Sequence, residues 1–210
     1  MVENSAIWNK IITFFAVALG WILGEATGII RRKIEIKKYK SALISELEDC
    51  LGWLLRNKIT IEYNIRVVVL GELPDSTPIK IPTHIYDKYF TEITSHLSKS
   101  ERTSFNAIYN LINYSHEQTN RLAKLRMICI NDRSRRGEFD SILEGLYHNV
   151  FLAIYLIRYH LEYREKLDME KITDEEQEKI LKESDENLLE IIKEAKALGI
   201  EGVKKKYFRK

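Results

Sequence analysis

Proline is scarce in this sequence, and the positions of the few prolines predict the fold class. Only three prolines are found among 210 residues, at Pro74, Pro78 and Pro82, and apolar residues recur with helical periodicity on both sides of that stretch. Proline interrupts helices because it lacks a backbone N–H and clashes with the preceding turn. Its absence elsewhere predicts an all-α protein with one irregular loop.

Cysteine is also rare and the net charge is small, and each of these excludes a class of protein. Cys50 and Cys129 are isolated and lack the C-x-x-C spacing of zinc or redox sites, so we expect reduced core residues. The formal net charge is only +2, which leaves no overall nucleic-acid signature. We therefore expect no duplex nucleic acid as a partner.

Motifs of the common enzyme classes are missing as well. The sequence has no phosphate-binding G-x-x-x-x-G-K-[ST], no G-x-G-x-x-G, no H-E-x-x-H and no G-x-S-x-G. Glu144 and His148 are four residues apart, but a metal would need at least one more ligand, so a hydrogen-bonded pair is the preferred interpretation. We expect no enzymatic activity, no metal and no cofactor, with an unrecognised active site as the remaining alternative.

One long apolar segment is present, at the N-terminus. No charge occurs from Ile11 to Gly24, and residues 7–27 reach the roughly 20 residues that a membrane span needs. The sequence predicts a transmembrane anchor within residues 1–30. A cleaved signal peptide is disfavoured because the positive cluster follows the apolar run, and a buried core helix of a soluble protein is the other alternative.

Small residues occupy every fourth position of this segment. Ala16, Gly20, Gly24 and Gly28 share one helix face, which lets a second backbone approach closely in lipid. The pattern predicts self-association into a homo-oligomer, although glycine is also simply common in membrane helices. Glu25 is expected at the depth of the lipid headgroups, with a pore-lining or proton-sensitive role as the alternative.

The charges that flank the segment predict its orientation. Six basic residues follow it within ten positions, against one acidic residue, Glu35. They are Arg31, Arg32, Lys33, Lys37, Lys38 and Lys40. The positive-inside rule then places residues 31–210 in the cytoplasm and the N-terminus outside, with anionic lipid as a partner of the basic flank. We expect a bacterial inner (plasma) membrane.

Periodicity beyond the anchor predicts a bundle of about five helices. Residues 31–70 form a stalk that is also the first bundle helix, with an apolar stripe from Ile36 to Val68 that has a gap at Lys58. A helical domain follows over 71–198, and residues 199–210 form a basic tail. The second helix is expected at Thr83–Leu97, and the third begins at a capping box, Ser98-x-x-Glu101. The fourth is expected at Phe139–Lys166, and the fifth runs from the capping box Thr173-x-x-Glu176 to Leu198. The last of these has few apolar residues and is expected to pack peripherally or on another subunit.

A basic cluster between the third and fourth helices is the candidate binding site. Its members are Arg121, Lys124, Arg126, Arg133, Arg135 and Arg136, the last three in a loop over 132–137. Converging guanidinium groups bind phosphates, and a neighbouring aromatic row of Tyr155, Tyr159 and Tyr163 would stack on a base. The competing interpretation, which we favour on sequence alone, is a solvated basic loop.

These features together lead to two functional hypotheses. The first is a membrane-anchored signalling effector whose helical domain binds an anionic ligand, such as a nucleotide second messenger, and acts on the membrane. Its layout resembles that of small bacterial antiphage effectors. The alternative is a passive membrane-tethered scaffold for a protein partner.

Overall fold

The protein is all-α over the part of the chain that the computed structural model describes, which is residues 2–164, 167–172 and 174–208. Side-chain descriptions begin at Thr13. The five α-helices are α1 (Val2–Val69), α2 (His84–Ile93), α3 (Lys99–Asn131), α4 (Arg136–Tyr163) and α5 (Asp174–Phe208), and these ranges contain no strand. The predicted fold class and helix number are confirmed.

Helix α1 joins the apolar segment to the core without a break. It is 68 residues long, which corresponds to about 100 Å at 1.5 Å per residue. From Thr13 to Ile34 it is almost entirely exposed, whereas Leu43, Leu47 and Leu54 are fully buried. The predicted continuity past Gly52 is therefore confirmed. The first part of α1 is long and apolar enough to cross a membrane, and no other helix in the described ranges is.

The end of α1 follows from local backbone chemistry. The helix stops at Val69, and Gly71 adopts φ 85°, a conformation that residues with a Cβ rarely tolerate. The proline-containing loop 70–83 then runs back along α1. Asn57 holds it by donating to the Ile79 carbonyl at 2.8 Å and accepting from the Ile79 N–H at 2.8 Å, and Asn64 donates to the Ser76 carbonyl at 3.0 Å.

A buried carboxylate positions α2. Glu46 is only 8% exposed, and its two oxygens accept from the backbone N–H groups of Ile85 and Tyr86 at 2.6 and 2.9 Å. Negative charge is stabilised there because the first N–H groups of a helix have no partner within the helix. Tyr109 of α3 also donates to Glu46 at 2.7 Å, and burial followed by this hydrogen bond raises the pKa of Tyr109.

Helices α3, α4 and α5 complete an up-and-down bundle. We call the end of the bundle beside Lys40 the near end and the end beside Val69 the far end. Helix α3 starts at the near end, where Glu101 pairs with Lys40 at 3.6 Å, and α4 returns from the far end. Helix α5 then rises beside α1, and its Glu194 pairs with Arg66 at 2.7 Å.

Several predicted helix boundaries need correction. Helix α2 is shorter than predicted and continues as a 3-10 turn over Thr94–His96. The capping box that opens α3 is confirmed, because the Glu101 N–H donates to Ser98 at 3.1 Å and the Ser98 N–H donates to Glu101 at 2.6 Å. The predicted loop 132–137 is mostly helical, with a 3-10 turn at Arg133–Arg135 and α4 starting at Arg136.

The last helix extends further than the sequence predicts. Thr173, the predicted cap of α5, and Lys166, the predicted end of α4, lie outside the described residues. Gly199 (φ 67°, ψ 174°) interrupts α5 where the helix was expected to end. The chain then resumes a helix through Phe208, with Val203 fully buried, so the described part of the predicted tail packs on α1.

Candidate functional site

The predicted basic cluster lies at the far end of the bundle, where α3 passes into α4. Arg121 and Lys124 are on the last turns of α3, and Arg133 and Arg135 are in the 3-10 turn that links the helices. Side chains from both helices thus meet there because only Asp132 and that turn separate α3 from α4.

Two of the arginines converge on one carboxylate. Arg121 donates to Glu138 at 2.7 Å, and Arg135 donates to the other oxygen of the same carboxylate. Hydrogen bonds from Arg121 and then Arg135 hold the pKa of Glu138 below its ordinary value, and the pKa of Arg135 is raised by the same contact. Both arginine side chains are about half exposed, so their pairing contributes little to stability.

Other members of the cluster point elsewhere. Arg136 donates to the carbonyl of Gly71, which joins the start of α4 to the end of α1. Arg126 is half-buried beside the proline-containing loop, in a pocket that it shares with Asn64 and Ser76. Five residues separate it from Arg121, which turns it about 140° around α3. Arg126 therefore does not face Glu138 with Arg121 and Arg135.

The two remaining cations are exposed. Lys124 and Arg133 form no ion pair with any residue in the described ranges. The turn that carries Arg133 is fixed by Asp132, whose carboxylate accepts from the Ser134 N–H at 2.9 Å. Hydrogen bonds from Ser134 lower the pKa of Asp132. The site therefore has two cations bound to Glu138 and two more that face solvent.

The predicted aromatic row does not border this cluster. Tyr155, Tyr159 and Tyr163 do form a continuous row, with ring centroids 6.4 and 4.7 Å apart. They lie on the last turns of α4, whereas the cluster is at its first turn. The 19 residues from Arg136 to Tyr155 correspond to about 28 Å along a helix. The expectation that these rings would stack on a base bound by the arginines is wrong.

His148 contacts α5 instead of forming a pair with Glu144. Its Nδ1 lies 2.8 Å from the hydroxyl of Ser184, and its Nε2 lies 3.5 Å from the carboxylate of Asp185. No group of three or more His, Cys, Asp or Glu residues in the described part of the chain could hold a metal ion. His148 therefore joins α4 to α5.

The small-residue stripe is open along the exposed part of α1. Ala16 and Glu25 are exposed, and a Cβ added at Gly20, Gly24 or Gly28 would meet no atom within 4 Å among the described residues. The large apolar residues around the stripe are also exposed, as at Phe14 (71%) and Trp21 (71%). In water this surface would be unfavourable, which agrees with a lipid environment.

Two features were not predicted from the sequence. They are the buried polar residues that hold the proline-containing loop, and a separate apolar cavity. Asn57 and Asn64 are 5% and 3% exposed, and the only sequence hint was the gap in the apolar stripe of α1 near Lys58. The cavity, of about 610 Å³, is lined by ten residues without a charged side chain, so it does not suit an anion. They are Thr103, Ala107, Asn110, Leu111, Tyr114, Leu152, Leu156, Met169, Ile172 and Gln177.

Comparison with known proteins adds no functional information. No protein-family model matches the sequence, and no curated protein or solved structure matches it either.

Proposed function

We propose that this protein is a single-span membrane protein with a cytoplasmic helical domain, and that it works as an oligomeric signalling or defence effector. The domain binds an anionic ligand and acts on the membrane through α1. One observation carries the proposal, namely the uninterrupted helix between the apolar segment and the buried core.

The continuity of α1 matters because it determines whether a movement of the helical domain reaches the apolar segment. A flexible linker would absorb any movement of the domain, whereas a continuous helix passes on rotation and translation as one rigid element. Leu43 and Leu47 are fully buried among the other helices, so a rearrangement of the bundle would move α1 as well. The apolar segment would move with it.

The apolar segment supplies the surface for self-association. Gly20, Gly24 and Gly28 leave one face without side chains, and a neighbouring span can pack closely against it. The exposed basic residues that follow, including Arg31, Arg32 and Lys33, support a cytoplasmic position for the domain. Anionic lipid headgroups would be their partners.

The far end of the bundle supplies the anion site. Arg121 and Arg135 already bind one carboxylate, that of Glu138. A ligand with two or more negative charges, such as a nucleotide phosphate, would compete with Glu138 and gain Lys124 and Arg133 as further partners. Its binding would loosen the contact between α3 and the first turn of α4.

A substitution in the stripe tests the membrane part of the proposal. Gly24→Leu should greatly reduce cross-linking between full-length chains in membranes and abolish leakage of dye from vesicles that contain the protein. Ala26→Leu adds a similar side chain on the opposite face and should change neither measurement. Equal cross-linking and leakage in the two variants would refute the proposal.

Anion binding can be measured with inorganic pyrophosphate and the full chain in detergent. Replacing both Arg121 and Arg135 with Ala should reduce the affinity at least tenfold. Glu138→Gln should increase it, because the two guanidinium groups lose their internal carboxylate. Unchanged affinity in both variants would exclude this site.

A passive scaffold is the second candidate, and one observation favours it. Glu138 pairs with two cations of the cluster, which is typical of surface ion pairing rather than an open anion site. Replacing residues 7–27 with an unrelated apolar helix distinguishes the candidates. A scaffold keeps its function after this exchange, and the proposed effector loses it.

A further inference from the structure

The last turns of α3 carry an exposed apolar surface. Met127, Ile128 and Ile130 are 64%, 44% and 58% exposed, although they lie within four consecutive residues of a helix whose other face is buried. The exposed cations Lys124 and Arg133 flank them. We call these five residues the α3 tip. Apolar side chains with a charged rim are typical of protein contact surfaces.

The α3 tip is too far from the apolar segment to touch the membrane that holds it. Two side-chain contacts set the height of α3 relative to α1, since Glu101 pairs with Lys40 and Tyr109 donates to Glu46. Met127 then lies near the level of residue 66 on α1. The 36 residues from position 30 to position 66 correspond to about 54 Å of helix. The lipid of that membrane is therefore out of reach, so a contact made by the α3 tip would be with a protein surface.

The same chain presents a surface of opposite charge. Residues 174–190 contain eight acidic and two basic residues, whereas residues 121–136 contain six basic residues and one acidic residue. On α5, Leu189 is 55% exposed, and the exposed Glu186 and Glu190 lie beside it. We call these three residues the α5 patch. Each surface thus combines exposed apolar groups with charges that the other surface can neutralise.

Both surfaces lie at nearly the same height above the membrane. Glu194 pairs with Arg66, and Leu189 precedes it by five residues, which places Leu189 about 8 Å below Arg66. The α3 tip is near the level of Arg66. Helix α3 packs mainly on α4, and α5 packs mainly on α1, so the surfaces are on different flanks of the bundle.

We propose that the α3 tip of one chain docks on the α5 patch of a second copy. Chains that cross one membrane in the same direction are related by rotation about the membrane normal, and such a contact requires complementary surfaces at one height. A heterologous contact of this kind repeats from copy to copy and closes into a ring when the rotation permits it. Co-anchoring strengthens it by raising the effective concentration. The inference rests on the self-association in the proposed function.

Site-specific photo-cross-linking in membranes tests this contact with the full chain. A p-benzoyl-phenylalanine at position 127 should give covalent dimers, with the cross-link mapped by mass spectrometry to residues 182–193 of the second copy. The same group at Ile79, which is 54% exposed on the proline-containing loop, is the matched control and should give few dimers. Cross-links from position 127 only to lipid, to other proteins or within one chain would overturn the proposal.

Exchanging the charges of the two surfaces distinguishes a specific contact from a random collision between chains. Glu186→Lys with Glu190→Lys should reduce the dimer yield at least tenfold, and adding Lys124→Glu with Arg133→Glu to the same chain should restore at least half of it. Failure of the restoration, in variants that melt like the parent protein, would overturn the contact. Measuring the yield in Gly24→Leu as well separates this contact from packing of the spans, since each can fail alone.

Discussion

Asn57 provides a stringent test of how the proline-containing loop is held. Its side chain is 5% exposed and binds both backbone groups of Ile79 at 2.8 Å. Each hydrogen bond contributes about 1 kcal/mol net, and a buried partner left without a bond costs about 1–3 kcal/mol. Because the Ile79 side chain is exposed, water can reach part of its backbone, so the lower end of that penalty applies. We expect Asn57→Ala to destabilise the protein by about 2–3 kcal/mol.

Thermal unfolding of the full chain in detergent, followed by far-UV circular dichroism, measures this effect. A loss of 1 kcal/mol lowers Tm by about 2–4 °C in a chain of this size, so we expect a decrease of about 4–12 °C. Asn187→Ala is the matched control, because Asn187 donates to the carbonyl of Glu183 in its own helix and to no other group among the described residues. That variant should stay within about 0.5 kcal/mol of the parent protein.

Asn57→Leu separates the hydrogen bonds from side-chain packing. Leucine fills a similar volume, so it creates little cavity, but it can bind neither backbone group of Ile79. We expect a destabilisation close to that of Asn57→Ala. A leucine variant as stable as the parent protein would refute the reasoning, since the loop would then be held by apolar contacts alone.

Three further predictions concern stability. Burial lowers the pKa of His160 from 6.5 to about 4. The free energy of unfolding should therefore keep its full value above pH 6.5 and fall by about 3 kcal/mol as the pH decreases towards 4. Denaturant titrations at several pH values measure this slope, which His160→Gln should flatten. Ser98→Ala removes the cap of α3 and should cost about 1 kcal/mol by thermal unfolding, and a variant within 0.3 kcal/mol of the parent would contradict the role of the capping box. Gly71→Ala should destabilise the protein by about 1–2 kcal/mol because φ is positive at Gly71. Gly52 lies within helix α1, where an added Cβ would meet no atom within 4 Å among the described residues, so Gly52→Ala should stabilise the protein by about 0.5–1 kcal/mol. Equal effects of the two substitutions would contradict the argument.

Local patterns in the sequence predicted much of the fold. The apolar stripe of α1, the stop at Gly71, the cap at Ser98 and the expected helix end before Gly199 all depend on residues close together in the chain. The structure has the first three, and at Gly199 it has an interruption after which the helix resumes. These features are set by backbone conformation and side-chain periodicity. Neither requires knowledge of distant contacts.

Long-range contacts explain what the sequence did not predict. The pairing of Arg121 with Glu138 depends on α4 starting at Arg136, which turns a supposed loop into the first helical turn. The position of Tyr155 far from the cluster follows from the direction of α4. Asn57 is polar, yet it faces the core because its partner is the backbone of a loop 22 residues away.

The unbroken course of α1 fixes an angle as well as a distance. Gly28 and Leu43 are 15 residues apart, so their Cα atoms differ in azimuth by about 60° around one shared axis. A single inserted residue between them would turn the glycine face by about 100° relative to the bundle, whereas seven would nearly restore the azimuth and lift the bundle by about 10 Å. Length variation in this stretch is therefore constrained by helical phase, and an insertion of seven residues disturbs that phase much less than an insertion of one or two.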